Sequence, residues 1–343
     1  MSRRRLGVAL LLVVAACSGD DGLDTAAPTT TSTPPSTTAA VECTGIGAMT
    51  GREDITFVRD GHVWTDDGRC IADAEDSSRL SWGGNADRLL VGERTVLLVD
   101  GPSGVVGHDL EALTWSLPTG TAIVVQNAEE ELSKVSLVGD PPISLAGLPL
   151  GLRDVTYHPS GTAIAGIEDI GPNVILASNR GEDPRWLLAN EPADEVTDIA
   201  FSADGDLLFV ARHDDEWHLH HLVLGDVEVS DVLVADEPIG DITASPLDED
   251  AWAASRGTCD QPGDLYVEVD GEVRDLSGTV VEHARPIGWT SGTGLVVLTC
   301  DGDLYLVTTS TPTLVAEGVT SAAVRVVHPP PPAPPPEIDA APA

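Results

Sequence analysis

Ile199-Ala-Phe201-Ser-Ala-Asp-Gly205-Asp206-Leu-Leu-Phe-Val210 reads as a short apolar strand, a tight turn and a second apolar strand. Val155-Thr-Tyr157-His-Pro-Ser-Gly161-Thr162-Ala-Ile-Ala165 repeats that pattern one unit earlier. Aligning on the aromatic position extends the series outward. Leu80-Ser-Trp82, Leu113-Thr-Trp115, Ile242-Thr-Ala244 and Ile287-Gly-Trp289 each lead through a turn-rich segment into a further apolar run. Those runs are Arg88 to Val91, Thr121 to Val125, Asp250 to Ala253 and Leu295 to Leu298. A third strand follows in each unit, as at Thr95 to Val99, Glu216 to Leu224, Asp264 to Val269 and Asp303 to Val307. Runs rich in Val, Ile, Leu, Trp and Thr, bounded by Gly, Asp and Pro, argue for all-β structure. A period of about 40 residues is that of a four-stranded propeller blade.

Six units, numbered here as blades 1 to 6, are complete, and the chain ends supply a seventh. Ser321-Ala-Ala-Val-Arg-Val-Val327 is an inner strand with no continuation. Asp54 to Asp60, Gly61 to Thr65 and Arg69 to Ile71 are three strands without an inner one. Joined, they make a blade that closes the ring and removes its open edges. The fold class expected is all-β, a β-propeller of about seven four-stranded blades with this velcro closure. The recurring Trp, Tyr and Phe are its inter-blade packing residues.

The units resemble the WD40-like repeats of TolB-type propellers, in which an aromatic residue precedes Ser-Pro-Asp-Gly and an apolar strand. Phe201-Ser-Ala-Asp-Gly205 and Tyr157-His-Pro-Ser-Gly161 carry the resemblance best, while blades 1, 2 and 6 depart from that turn. The resemblance covers about residues 54 to 327. It implies a propeller acting as an interaction platform.

The flanks read differently. Met1-Ser-Arg-Arg-Arg5 is basic, and Leu6 to Ala16 is apolar, uncharged and too short to span a membrane. Val14-Ala15-Ala16-Cys17 resembles the lipobox of bacterial lipoproteins, which implies that Cys17 is lipidated and becomes the new N-terminus. Residues 1–17 would then be a lipoprotein signal peptide, the alternative being a plain signal peptide with an incidental Cys. The richness in Arg and Ala resembles actinobacterial lipoproteins. Residues 18–42 are Thr, Pro, Ser and Ala with a few acids, unable to form a core. As an extended tether of about 25 residues they would reach roughly 75 Å. Residues 43–327 are the propeller, and residues 328–343 a Pro-rich tail of polyproline character. The expected location is extracytoplasmic, held at the cell membrane by the N-terminal lipid alone.

The net charge is −38 and Lys134, placed in an acidic loop, is the only lysine. Such a surface repels nucleic acid and anionic headgroups and favours basic partners or divalent ions. Salt-adapted solubility is the plainer alternative. With Cys17 assigned to lipid, Cys43, Cys70, Cys259 and Cys300 remain, an even set that predicts disulfides in an oxidising compartment. Proximity and repeat register favour Cys43–Cys70 and Cys259–Cys300 among three pairings.

No Gly-x-Ser-x-Gly, His-Glu-x-x-His or Cys-x-x-Cys motif occurs, and no EF-hand loop. A propeller can still assemble a site from scattered loops. Asp154, Asp198 and Asp241 each lie three residues before the anchor of blades 3, 4 and 5. In a ring they become an acidic arc at one channel rim, able to hold Ca²⁺ or a basic side chain. Each could equally cap a turn. Glu129 to Glu131, Glu168 with Asp169, and Asp214 to Glu216 add acid on the same rim. His218 and His220 share a strand face and, with a carboxylate, could bind Zn²⁺; His221 follows them, and Trp217 and Leu219 make an ordinary amphipathic strand as natural.

Two function classes follow. One is an envelope lipoprotein whose propeller, a monomer, binds a basic protein or peptide through the acidic rim. The other is an envelope hydrolase or lyase with a metal in the channel mouth. A degenerate, purely structural propeller is the plainest reading.

Overall fold

The computed structural model describes residues 41–327 except 47–48, 50–53, 100–103, 108–109, 118, 170, 189–192, 225–228, 258, 260–261, 270–271, 276–283, 292–293 and 309–310. The signal segment, Cys17, the tether up to residue 40 and the tail from 328 lie outside the described residues. The chain forms seven four-stranded antiparallel sheets. Blade 7 opens the chain with β1 (Ile55–Arg59), β2 (His62–Thr65) and β3 (Cys70–Asp73). Blade 1 is β4 (Leu80–Trp82), β5 (Arg88–Val91), β6 (Thr95–Leu98) and β7 (Gly104–Val105). Blade 2 is β8 (Glu111–Trp115), β9 (Ala122–Gln126), β10 (Leu132–Ser136) and β11 (Ile143–Ser144). Blade 3 is β12 (Leu152–Tyr157), β13 (Ala163–Glu168), β14 (Val174–Ser178) and β15 (Arg185–Trp186). Blade 4 is β16 (Glu195–Phe201), β17 (Leu207–His213), β18 (Glu216–Leu222) and β19 (Val229–Ala235). Blade 5 is β20 (Ile239–Ala244), β21 (Trp252–Gly257), β22 (Pro262–Val269) and β23 (Glu272–Asp275). Blade 6 is β24 (Ala284–Trp289), β25 (Leu295–Thr299), β26 (Leu304–Thr308) and β27 (Thr311–Ala316). The last strand, β28 (Ser321–Val324), returns to pair with β1, so blade 7 runs β28-β1-β2-β3 and closes the ring.

Alternation along the second strand of each blade explains why the blades stack. In β17, Leu207, Phe209 and Ala211 pack towards blade 3, while Leu208 and Val210 pack towards blade 5. In β25, Leu295 and Val297 face blade 5 and Val296 and Leu298 face blade 7. Side chains two apart share a face, so an uninterrupted apolar run buries both faces at once. The core is therefore seven inter-blade clusters rather than one.

The aromatic anchors add polar ties between blades. Trp82 Nε1 donates to Thr56 Oγ1 at 3.0 Å, Trp115 Nε1 to the Ser81 carbonyl at 3.0 Å, and Trp289 Nε1 to the Thr243 carbonyl at 3.5 Å. Each indole thus reaches back one blade. Replacing Trp115 by Phe would keep most of the apolar contact and delete the donor. The expected cost is about 1–2 kcal/mol, one hydrogen bond plus a slightly smaller ring, read as a lower urea midpoint with an unchanged m-value.

One expectation needs correcting. Lys134 lies in strand β10, not in a loop, with its ammonium 5.6 Å from the Tyr157 ring centroid. Partial burial lowers its pKa.

Candidate functional site

Antiparallel order fixes which groups share a rim. The inner strand of a blade starts at one end of the ring and the second strand returns there. The turn between second and third strands therefore opens beside the start of the inner strand, as the pairs Leu152 with Glu168 and Glu195 with Arg212 show. Asp154, Asp198 and Asp241 stand near the starts of β12, β16 and β20. Glu129 to Glu131, Glu168 with Asp169, and Asp214 to Glu216 lie at the return ends of blades 2, 3 and 4. Blades 2 and 3 meet tightly there. A Cβ on Gly151, which has a φ of +68°, would stand 3.1 Å from Glu130 Oε2 and 3.6 Å from Asp169 Cβ.

Bulges set how the rim residues point. Pairing with the second strand slips in β8, β12, β16, β20 and β24, always within a few residues of the anchor. A bulge bends a strand and re-aims its side chains. In β16 it turns Asp198 across to the next blade. One carboxylate oxygen accepts the Ile199 amide N–H at 2.8 Å and the other accepts the Ile242 N–H of blade 5 at 2.7 Å. Asp198 keeps some contact with solvent, yet the protein around it is dense enough that burial pushes its carboxyl up to about 7. The two N–H donors oppose that rise, and the charges of Asp241 and Asp154 add to it. The three acids are thus close enough to feel one another, but their roles differ. Asp198 clamps two blades. Asp154, at a φ of +48°, pairs with Arg153 at 3.1 Å. Asp241 is exposed.

Arginine threads this rim, and sequence reasoning did not place it there. Arg153 also approaches Asp169 at 3.4 Å and donates to the Val196 carbonyl of the next blade at 2.6 Å. Arg212 pairs with Glu195 at 3.6 Å, and Arg256 with Asp236 and Glu237 at 3.1 and 3.0 Å. These pairs are half-exposed and individually weak. They nonetheless use up part of the acidic arc. With both Asp198 oxygens on backbone donors and Asp154 on an arginine, the arc leaves Asp241 as its one readily offered carboxylate. That is a thin donor set for Ca²⁺, which takes six to eight oxygens.

One open feature of the rim is a cleft of about 740 Å³ spanning blades 4 to 7. Asp198, Asp241, Asp301 and Arg285 line it, and the Cys259–Cys300 disulfide walls one side. That bridge ties the return turns of blades 5 and 6. The second disulfide, Cys43–Cys70, fastens the segment before β1 to β3. At the other end of the inner strands lies a cavity of about 330 Å³, lined by Trp82, Tyr157, Phe201, Trp289 and smaller residues with no carboxylate or cationic side chain among them.

The histidines form a separate cluster on the outer half of blade 4. His218 and His220 project from β18 on the face turned to blade 3, with rings nearly parallel at 5.5 Å. Trp217 and Leu219 take the opposite face, in the blade 4–5 core. His221 also points away and meets Asp206 at 2.9 Å. Two residues absent from the sequence reading complete the cluster, His213 from β17 and Asp231 from β19. Burial, first of all, pushes His220 down to about 4, against the pull of Asp231.

No protein family and no curated protein matches the chain. Solved structures resemble it in fold. An oligogalacturonate lyase in complex with manganese superposes with a TM-score of 0.56 at 13% identity, over 74% of this chain and 82% of that one. An oligogalacturonate lyase from Vibrio parahaemolyticus gives 0.53 at 13% identity, over 69% and 79%. A TolB-type protein from Agrobacterium tumefaciens gives 0.47 at 17% identity, over 73% and 98%. What the chain shares with the two lyases is the β-propeller fold.

Proposed function

We propose that this protein is an extracytoplasmic binding platform whose rim cleft over blades 4 to 7 receives a basic segment of a protein or peptide. The observation that carries the reading is the cleft itself: a concave surface between blades, braced by a disulfide and lined by Asp198, Asp241 and Asp301 against one Arg285. Basic partners suit a chain of net charge −38. Two disulfides accord with an oxidising compartment. Lipid on Cys17 and the tether of residues 18–42 would hold the propeller off the membrane as a monomer. The enzyme reading with a metal in the channel mouth fares less well, because two of the three arc acids, Asp198 and Asp154, are engaged by backbone N–H groups and an arginine.

The test is a titration of labelled Arg/Lys-rich peptides, with acidic peptides of equal length as the comparison. Saturable, salt-weakened binding of the basic peptides is expected. Replacing Asp241 and Asp301 together by Asn should reduce it about 5- to 30-fold, each rim charge contributing of order 0.5–1 kcal/mol. Equal binding of both peptide classes, or no effect of the double variant, would overturn the proposal.

A further inference from the structure

His218, His220 and Asp231 come together because of two local devices. The Asp214–Asp215 turn, with Asp214 at a φ of +55°, pairs His213 with Glu216, so that His213, His218 and His220 fall on one face of the hairpin. A register slip in the pairing of β18 with β19 then sets Asp231 opposite His220 and beside His218. Its two carboxylate oxygens lie 2.8 Å from His220 Nδ1 and 3.3 Å from His218 Nδ1. Both nitrogens are buried and face that one carboxylate. The His220 side chain is only 9% exposed. Two buried imidazole nitrogens around one carboxylate are a donor set that a cation can bridge. One ligand atom from each of the three residues can be chosen so that all lie within 4.8 Å of one another.

We propose that blade 4 carries a divalent transition-metal site of the zinc class, ligated by His218 Nδ1, His220 Nδ1 and a carboxylate oxygen of Asp231. Two imidazoles and a carboxylate are donors that suit Zn²⁺ rather than Ca²⁺ or Mg²⁺. Bonds of about 2.0–2.2 Å in tetrahedral geometry separate ligand atoms by roughly 3.3–3.6 Å. His220 Nδ1 stands closer than that to its carboxylate oxygen, at 2.8 Å, so a small outward shift of these side chains would admit the ion. Asp231, 45% exposed, gives an entry path and leaves a fourth position for water.

His213 acts as a positioning residue. Its Nε2 lies 3.1 Å from His220 Nε2. For His220 to bind metal through Nδ1, its Nε2 must carry the proton and donate to His213. That arrangement fixes tautomer and ring orientation, as outer partners of metal-binding histidines do. None of the four residues lines the rim cleft or the opposite cavity, so the site is independent of the peptide-binding reading.

The test uses the untagged full-length protein, stripped with chelator and titrated with Zn²⁺ by calorimetry. One equivalent should bind with micromolar or tighter affinity. Asp231→Asn and His218→Gln should weaken binding at least 100-fold, and His213→Ala about 10- to 100-fold. Asp241→Asn should leave it unchanged. His220→Ala removes a buried ring and is interpretable only with a native circular dichroism spectrum. The two less buried variants keep the test decisive without it. Co²⁺ in place of Zn²⁺ should give the intense visible bands of a four-coordinate site. Stoichiometry well below one, a spectrum no stronger than aqueous Co²⁺, or undiminished affinity in both Asp231→Asn and His218→Gln would each overturn the assignment.

Discussion

Truncating the chain after Thr320 is expected to abolish the single cooperative unfolding transition and to leave a protein that associates in solution. The lost segment is small, but its contacts are not local. β28 pairs with β1 from Ser321 opposite Val58 to Val324 opposite Ile55. Ala322 and Ala323 are buried, each in a different inter-blade cluster. Arg325 stands over the Trp82 ring at 5.1 Å and donates to the Ala86 carbonyl at 2.9 Å, joining blade 7 to blade 1. Removing all this unpairs β1 along its whole inner edge. An open edge with Ile55, Phe57 and Val58 behind it is a template for strand addition from another molecule. Closure also confines a loop of more than 260 residues, an entropic cost of about 5 kcal/mol that the paired ends must offset. Thermal melting followed by circular dichroism, with size-exclusion chromatography, checks both parts. A truncated chain that stays monomeric and melts cooperatively within a few degrees of the intact protein would show that six blades hold the ring without the closure.

That closure was legible in the sequence because an inner strand without successors and three strands without an inner one are complementary defects. The anchors were legible for a related reason. A second strand buried on both faces reads as an unbroken apolar run, and the aromatic before its turn fills the neighbouring interface. The fourth strands of blades 1 to 3 were not legible. Gly104–Val105, Ile143–Ser144 and Arg185–Trp186 are two residues long and exposed, so neither burial nor alternation marks them. The Cys259–Cys300 pairing followed from register, since the return turns of adjacent blades sit side by side, and Cys43–Cys70 from proximity in sequence.

The site was harder to read, and the obstacle was the bulge. Repeat register predicts that Asp154, Asp198 and Asp241 occupy equivalent places, and all three do stand near the starts of their inner strands. A one-residue slip just before each anchor gives each side chain its own direction, and the signal for a slip is weak in sequence. Hence Asp198 finds backbone donors, Asp154 finds Arg153 and Asp241 faces solvent. The histidine cluster suffered the same way. His218 and His220 are two apart and visibly share a face. His213 could have been joined to them by reading Asp214–Asp215 as a two-residue hairpin turn. Asp231 could not, because its place depends on the slip between β18 and β19.

Replacing Asp198 by Ala is expected to destabilise the protein more at pH 5.5 than at pH 8. Its carboxyl has a folded-state pKa of about 7 against 3.8 for the ordinary group. Between those values the folded protein holds a proton that the unfolded chain has released. Stability contributed by the protonated group is therefore complete below about pH 4 and falls as pH rises towards 7. From pH 5.5 to 8 the wild type should lose about 2 kcal/mol through this group, which the alanine variant lacks. Against that, the variant leaves the Ile199 and Ile242 N–H groups without their partners, at a cost of about 1–3 kcal/mol each. Titrations shared by both proteins cancel in the difference. Urea unfolding of both at the two pH values gives the measurement. A cost that shrinks by about 2 kcal/mol at the higher pH would establish Asp198 as a neutral or half-neutral clamp between blades 4 and 5, and so a poor cation ligand. A cost equal or larger at pH 8 would mean that the two N–H donors hold the carboxylate ionised throughout. The rim would then carry one more full negative charge next to Asp241, and the case for a cationic guest in the cleft would strengthen.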